Sequence, residues 1–253
     1  MAALKSIVSF LDDFLKIADI RDDSWNGLQF EGRGDIQRIA FAVDAGMDSF
    51  REALEEKVDL IIVHHGLFWK GSNPCMTGLN KDRMEFLSAN GISLYCAHLP
   101  LDRHKDVGNN AQILKLLGAS IKEALFEEEE GKKIGWRGEL DEPATIKEIE
   151  RRMRTELNAS CRVLSFGKDK IKTIAVCSGG AGYSAFNEAL ESCVDLYITG
   201  DQIEIFLHAK DAKTNVIFAG HHATETIGLK ALSKVVGKRL KVSTVFIDIP
   251  TGL

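Results

Sequence analysis

Apolar residues along this chain fall into short continuous runs, separated by amphipathic stretches of helical period. Ile36-Gln-Arg-Ile-Ala-Phe-Ala-Val43 is followed by a polar turn, by Ser49-Phe-Arg-Glu-Ala-Leu-Glu-Glu56, and by Asp59-Leu-Ile-Ile-Val63. About 135 residues later the pattern returns as Ile171-Lys-Thr-Ile-Ala-Val-Cys177, Ser184-Ala-Phe-Asn-Glu-Ala-Leu-Glu191 and Asp195-Leu-Tyr-Ile-Thr199. Each copy reads as strand, helix, strand. Runs this rich in Ile and Val suit parallel strands buried on both faces. Ser49 and Glu52 stand at capping-box spacing, as do Thr145 and Glu148.

A third strand follows in each copy, Gly91-Ile-Ser-Leu-Tyr-Cys-Ala97 and Asn215-Val-Ile-Phe-Ala219. Helices are expected before these strands, over 82–89 and 202–212, and before each whole unit, over 4–17 and 146–157. Strands alternating with helices of this length call for α/β units with right-handed crossovers. The expectation is therefore an α/β fold: two similar lobes from an internal duplication, with mostly parallel sheets and flanking helices. The acidic stretch from Glu127 to Gly131 is the most linker-like passage, which puts the lobes at 1–125 and 126–253. The C-terminal strand is left free to return to the first lobe.

Composition narrows the function. Among 253 residues, Lys and Arg number 32 against 37 Asp and Glu, a net charge of −5. That balance argues against a general nucleic-acid binder, and Lys238, Arg239 and Lys241 read as a solvated edge. No apolar run approaches the roughly 20 residues of a membrane span. The start, Met1-Ala-Ala-Leu-Lys-Ser6, lacks the regions of a secretory signal, so a cytoplasmic protein is expected. Five scattered cysteines without a Cys-x-x-Cys pair fit free thiols and offer no thiolate metal site. Cys96, Cys177 and Cys193 read as small core residues.

The histidines carry the chemistry. Of seven in the chain, most lie just past strand ends: His64-His65-Gly66, His98 with Asp102, and His221-His222 with Glu225. In open α/β sheets, ligands gather where strands end. Imidazole and carboxylate without thiolate suit zinc, iron, manganese or nickel. Adjacent residues within a strand face opposite ways, so His64 and His65 share a site if the strand ends there and Gly66 permits a sharp exit. Pro100 blocks a helix between His98 and Asp102, so that pair is expected on a loop. His221 and Glu225, four apart at a helix start, share a face. A metal site is thus expected from His64, His65, Asp102, His221 and Glu225. His222 is expected not to ligate, and His104, between Arg103 and Lys105, reads as a surface or substrate-side residue. Gly179-Gly180-Ala-Gly182 lacks the Lys-Ser/Thr of a phosphate loop but stays open as a turn binding substrate oxygens.

These residues resemble the Nif-three-like family, whose members are often labelled GTP cyclohydrolase type 2 homologues. The matching motifs are Ser24-Trp25-Asn26-Gly27-Leu28-Gln29, Val63-His64-His65-Gly66-Leu67-Phe68-Trp69, His98-Leu-Pro-Leu-Asp102, Gly108-Asn109-Asn110, Gly138-Glu-Leu140, Ile198-Thr199-Gly200 and Gly220-His221-His222-Ala-Thr-Glu225. The resemblance implies a two-metal centre on the five ligands above and a ring-shaped homohexamer built from dimers. Glu204 and His208, expected four apart on the helix after Gly200, also match some relatives. With His98 they are candidates for moving protons or orienting ligands. Three functions follow. The first is a dinuclear-metal-dependent hydrolase of a phosphorylated or nucleotide-like, small anionic substrate. The second is a non-enzymatic metal-binding hexamer for storage, delivery or regulation. The third, which the acidic balance disfavours, is a ring around nucleic acid.

Overall fold

The computed structural model describes residues 1–129 and 131–252. The chain runs through β1 (Ala2–Ala3), α1 (Leu4–Leu15), β2 (Gly27–Phe30), β3 (Asp35–Ile36), β4 (Arg38–Asp44), α2 (Met47–Glu55), β5 (Leu60–His65), α3 (Gly78–Asn90), β6 (Ser93–Cys96) and α4 (Leu99–Asp102). It continues through α5 (Asn109–Leu117), β7 (Ala119–Glu129), β8 (Lys132–Thr145), α6 (Ile146–Leu157), β9 (Arg162–Ser165), β10 (Lys170–Cys177), α7 (Tyr183–Glu191), β11 (Leu196–Thr199), α8 (Phe206–Asp211), β12 (Asn215–Phe218), α9 (His221–Leu240) and β13 (Ser243–Phe246).

Two compact units result, 1–101 with 229–249 and 102–228 with 250–253. The boundary expected between 125 and 126 falls inside β7. The acidic passage read as a linker is the tip of a β7–β8 hairpin, where Glu127 stands opposite Lys133. An opposite-charge cross-strand pair there favours pairing, which a reading of the acidic run alone overlooks. Glu130, within that passage, lies outside the described residues.

The first sheet has the order β13-β4-β5-β6-β2. Its first four strands are parallel, and β2 runs antiparallel to β6. The C-terminal strand β13 thus joins the first unit's sheet. The second sheet has the order β7-β8-β10-β11-β12-β9. Its centre, β10-β11-β12, is parallel, with antiparallel β8 and β9 on its flanks and β7 beyond β8. In both units a strand–helix–strand–helix–strand path makes three parallel neighbours, and an earlier strand, β2 or β9, lies antiparallel beside the third. The duplication read from the sequence is therefore present in topology, although the second sheet is mixed rather than mostly parallel.

Burial explains why these runs fold as they do. β4 buries Ile39 through Val43, and β5 buries Leu60 through Val63. Leu4, Ile7, Leu11 and Leu15 form one buried stripe along α1 at helical spacing. Ile149, Met153 and Leu157 do the same on α6, whose Thr145 and Glu148 form the expected capping box. The box expected at Ser49 and Glu52 does not form. α2 begins earlier, at Met47, and Ser49 sits inside its first turn, accepting from Gly46 N at 3.0 Å. Cys96 and Cys177 are buried as expected, but Cys193 is exposed, on a left-handed turn after α7 with φ +51°. Lys238, Arg239 and Lys241 are exposed. Among the described residues no helix is long and apolar enough to cross a membrane.

Candidate metal centre

Within the first unit, β5 ends on His64 and His65, and His98 follows β6 by two residues. Each of the three imidazoles offers a nitrogen, and these nitrogens lie within 4.8 Å of one another. The rings stand 4.8 Å (His64–His65), 4.9 Å (His64–His98) and 5.6 Å (His65–His98) apart, centroid to centroid. β5 ends at His65, so the pair stands at the strand end that a shared site called for.

Every Nδ1 atom in this cluster faces an acceptor. His64 Nδ1 lies 2.9 Å from the Ala97 carbonyl, His65 Nδ1 2.8 Å from Asp44, and His98 Nδ1 2.9 Å from Asp22. A carbonyl or carboxylate oxygen only accepts, so each Nδ1 carries a hydrogen, and in the neutral ring the lone pair then falls on Nε2. Asp44 and His65 are register partners on adjacent parallel strands, which fixes their meeting. Asp22 arrives from the loop before β2. It also accepts from Ser24 N, Asn26 Nδ2 and Leu99 N at 2.8–3.0 Å. Burial alone would raise its carboxyl; the hydrogen bonds and charge from His98, with those from Ser24 and Asn26, hold it below the ordinary value.

Gly66 serves by closeness rather than by a sharp exit. A Cβ there would lie 2.2 Å from the Gln29 amide, and Gln29 Oε1 accepts from Leu67 N at 2.8 Å. Beneath His64, Cys96 Sγ lies 3.2 Å from the His64 carbonyl, and burial pushes its thiol up to about 11.

The second unit gathers carboxylates. Asp102 is 5% exposed and accepts from Asn109 Nδ2 at 2.8 Å and Ser178 Oγ at 3.0 Å. It ends α4, a single helical turn, where a loop was expected. Pro100 is tolerated because backbone N–H groups in a first turn have no intrahelical partner to lose. On the first turn of α9, His221 Nε2 lies 3.2 Å from Glu225, and His221 Nδ1 lies 3.0 Å from Asp201. Contact with Glu225 outweighs burial and, with Asp201, pushes the imidazole up to about 9.

The glycine turn after β10 packs against this group. A Cβ on Gly179, at φ +64°, would stand 2.2 Å from Glu225 Oε1, and one on Gly180 2.9 Å from Asp201. Gly179 N donates to Thr224 Oγ1 at 3.0 Å, and its carbonyl accepts from Gly200 N and Asp201 N at 3.1 and 2.9 Å. The turn left open for substrate oxygens is thus the seat of the acidic cluster.

The remaining candidates lie elsewhere. Glu204 is exposed and precedes α8, which starts only at Phe206, so the helical face expected for Glu204 and His208 does not exist. His208 bonds the Tyr183 hydroxyl and packs edge-on against Phe186 at 5.2 Å. His104 Nδ1 accepts from Asp106 N and Val107 N, both at 3.2 Å. His222 is 7% exposed and next to His221. Sequence reasoning missed Asp22 and Asp44; it placed Gly200-Asp201 as the counterpart of His64-His65 on the open side of the site, without the contact of Asp201 with His221. A strand-end signal was present for Asp44, whereas nothing local pointed to Asp22, 76 residues from the histidine it holds.

The chain is similar to known proteins along its whole length. The model of the Duf34/NIF3 (NGG1p interacting factor 3) family matches residues 2–252. The chain belongs to this family. A relative from Pyrococcus horikoshii, named GTP cyclohydrolase 1 type 2 homolog, is 47% identical over 249 residues, covering 98% of each chain. One of the same name from Archaeoglobus fulgidus is 43% identical over 251 residues, covering 99% of each. The crystal structure of TTHA1606 from Thermus thermophilus superposes with a TM-score of 0.89 at 36% identity, covering both chains fully.

Proposed function

We propose that the protein is a dinuclear-metal-dependent hydrolase acting on a phosphorylated or nucleotide-like small molecule, with His64, His65, Asp102, His221 and Glu225 as metal ligands. The observation that carries the reading is the histidine cluster: three imidazole donors within 4.8 Å, each with Nδ1 held against an oxygen acceptor. Imidazoles held through Nδ1 by carboxylate or carbonyl groups are what metal-binding histidines ordinarily need. The donor set, nitrogen and carboxylate without thiolate, fits zinc, iron, manganese or nickel.

Two divalent ions, when bound, supply Lewis acidity for activating water and positive charge for a departing oxygen. The chain's own residues then divide the remaining work. Asp102 is held by Asn109 and Ser178, and Glu225 by its seat on Gly179. His98, with its Nδ1 hydrogen directed to Asp22, offers Nε2 as a proton acceptor or donor beside His64 and His65. The relatives' name adds ring-opening of a purine nucleotide to the reactions worth trying. We further propose the homohexamer that the resemblance implies, to be checked by light scattering for a particle of six chain masses.

A screen of phosphoesters, nucleotides including GTP, and cyclic amides, each with Mn, Zn, Fe and Ni, tests the hydrolase. Turnover of one class that is lost in Asp102→Asn is the expected result. Metal-loaded protein inert to every class would turn the reading to a non-enzymatic metal-binding protein.

A further inference from the structure

Two tryptophans stand on loops locked to one another next to the histidine cluster. Trp69 donates from Nε1 to the Gly66 carbonyl at 3.0 Å, and its ring meets His98 edge-on at 5.0 Å and His65 at 6.0 Å. Trp25 lies one residue from Asn26, whose Oδ1 accepts from His98 N at 2.6 Å. The segments carrying them are cross-tied. Ser24 bridges Trp69, Trp25 N donates to the Phe68 carbonyl at 3.0 Å, and Lys70 N donates to the Asp23 carbonyl at 2.6 Å. Gln29 clasps both, donating to the Trp25 carbonyl at 2.6 Å and accepting from Leu67 N at 2.8 Å.

Despite this rigid mounting, the Trp25 side chain is 68% exposed. An indole is among the largest apolar surfaces a side chain can leave in water, and here the backbone beneath it is held on both sides. Aromatic side chains held this way are the usual rests for planar rings, because stacking needs one flat face and no rearrangement.

We propose that Trp25 is the specificity-determining platform for a planar heteroaromatic ring, and that the substrate joins such a ring to an anionic group directed at the histidine cluster. This rests on the hydrolase reading for the destination of the anionic end, whereas the stacking itself needs no metal.

Calorimetric titration of the full-length protein with GMP, AMP, ribose 5-phosphate and inorganic phosphate, with Mn and after chelation, tests it. The wild type is expected to bind both nucleotides more tightly than ribose 5-phosphate, with or without metal. Trp25→Ala should weaken nucleotide binding on the order of tenfold, the loss of one stacked base, leave ribose 5-phosphate unchanged and keep its metal content. Trp25→Phe should restore most of the affinity, which a merely structural role would not require. Equal affinity of the wild type for nucleotides and ribose 5-phosphate would overturn the proposal. So would a Trp25→Ala protein whose assembly dissociates while its nucleotide affinity stays the same, since Trp25 would then cover a second copy. A wild type that binds no metal yet prefers nucleotides would sustain the platform and refute the metal reading alone.

Discussion

Gly179 backs onto Glu225 so closely that a methyl group on it would stand 2.2 Å from the carboxylate oxygen. The acid of α9 is thereby seated by the absence of a side chain two residues after β10. Gly179→Ala should displace Glu225 and strain a backbone at φ +64°. The expected loss of stability is about 1–3 kcal/mol, from the left-handed conformation and the clash together. Gly182, three residues on, has open space around it and an ordinary φ of −76°. Gly182→Ala should therefore be close to neutral. Denaturant unfolding of the two variants separates seat from turn; equal costs would show that Gly179 has no special relation to Glu225.

Metal occupancy should respond unequally to different ligands. If Asp102 serves both ions, Asp102→Asn loses both while keeping the shape that Asn109 and Ser178 hold. His64→Ala should cost mainly one. Elemental analysis on folded protein decides, and two ions retained without the Asp102 carboxylate would remove it from the ligand set.

The pH dependence of the metal-free protein has a definite sign. His221 is raised to about 9 in the fold, against 6.5 for the free imidazole. The charged ring beside Glu225 and Asp201 stabilises the fold fully below about pH 6.5, and that contribution fades as pH rises toward 9. His221→Gln should flatten this part of the stability profile between pH 6.5 and 9. A wild-type profile that rises over that window would contradict the pairing. Metal loading reverses the requirement, since a bound imidazole must be neutral.

Asp22 offers a second, opposite profile. Its carboxyl lies below the ordinary value in the fold, so its contribution is full above roughly pH 3.9 and is lost as pH falls further. Asp22→Asn should cost about 1–3 kcal/mol at neutral pH, the usual effect of disturbing a buried charged hydrogen-bond acceptor. The penalty should shrink in acid. Nitrogen NMR of His98 checks the mechanism directly, because Asp22→Ala, which removes the acceptor altogether, should release the fixed Nδ1–H tautomer.

How much of this was legible in the chain follows from the range of each interaction. Buried parallel strands must be apolar on both faces, so Ile36–Val43 and Ile171–Cys177 announced themselves, and the duplication with them. Histidines at strand ends were visible for the same reason. The acceptors behind them were not, because Asp22 reaches His98 from across the fold and Asp201 reaches His221 from the neighbouring strand's exit. The Glu-rich passage read as a linker because its partners, Lys132 and Lys133, follow the turn rather than share the run. Glu204 and His208 were joined by an assumed helix that begins two residues too late.

Cys96 shows what was kept away from the histidines. Its sulfur lies between the Ser24 hydroxyl and the His64 carbonyl, directly under the cluster, at 3.3 and 3.2 Å. Burial holds it as a thiol up to about pH 11, and oxidants and soft ions attack the thiolate. Peroxide or copper reaching the cluster therefore meets nitrogen and oxygen, while the sulfur below stays inert. The cysteine beneath the histidines is thus kept in its less reactive, protonated form.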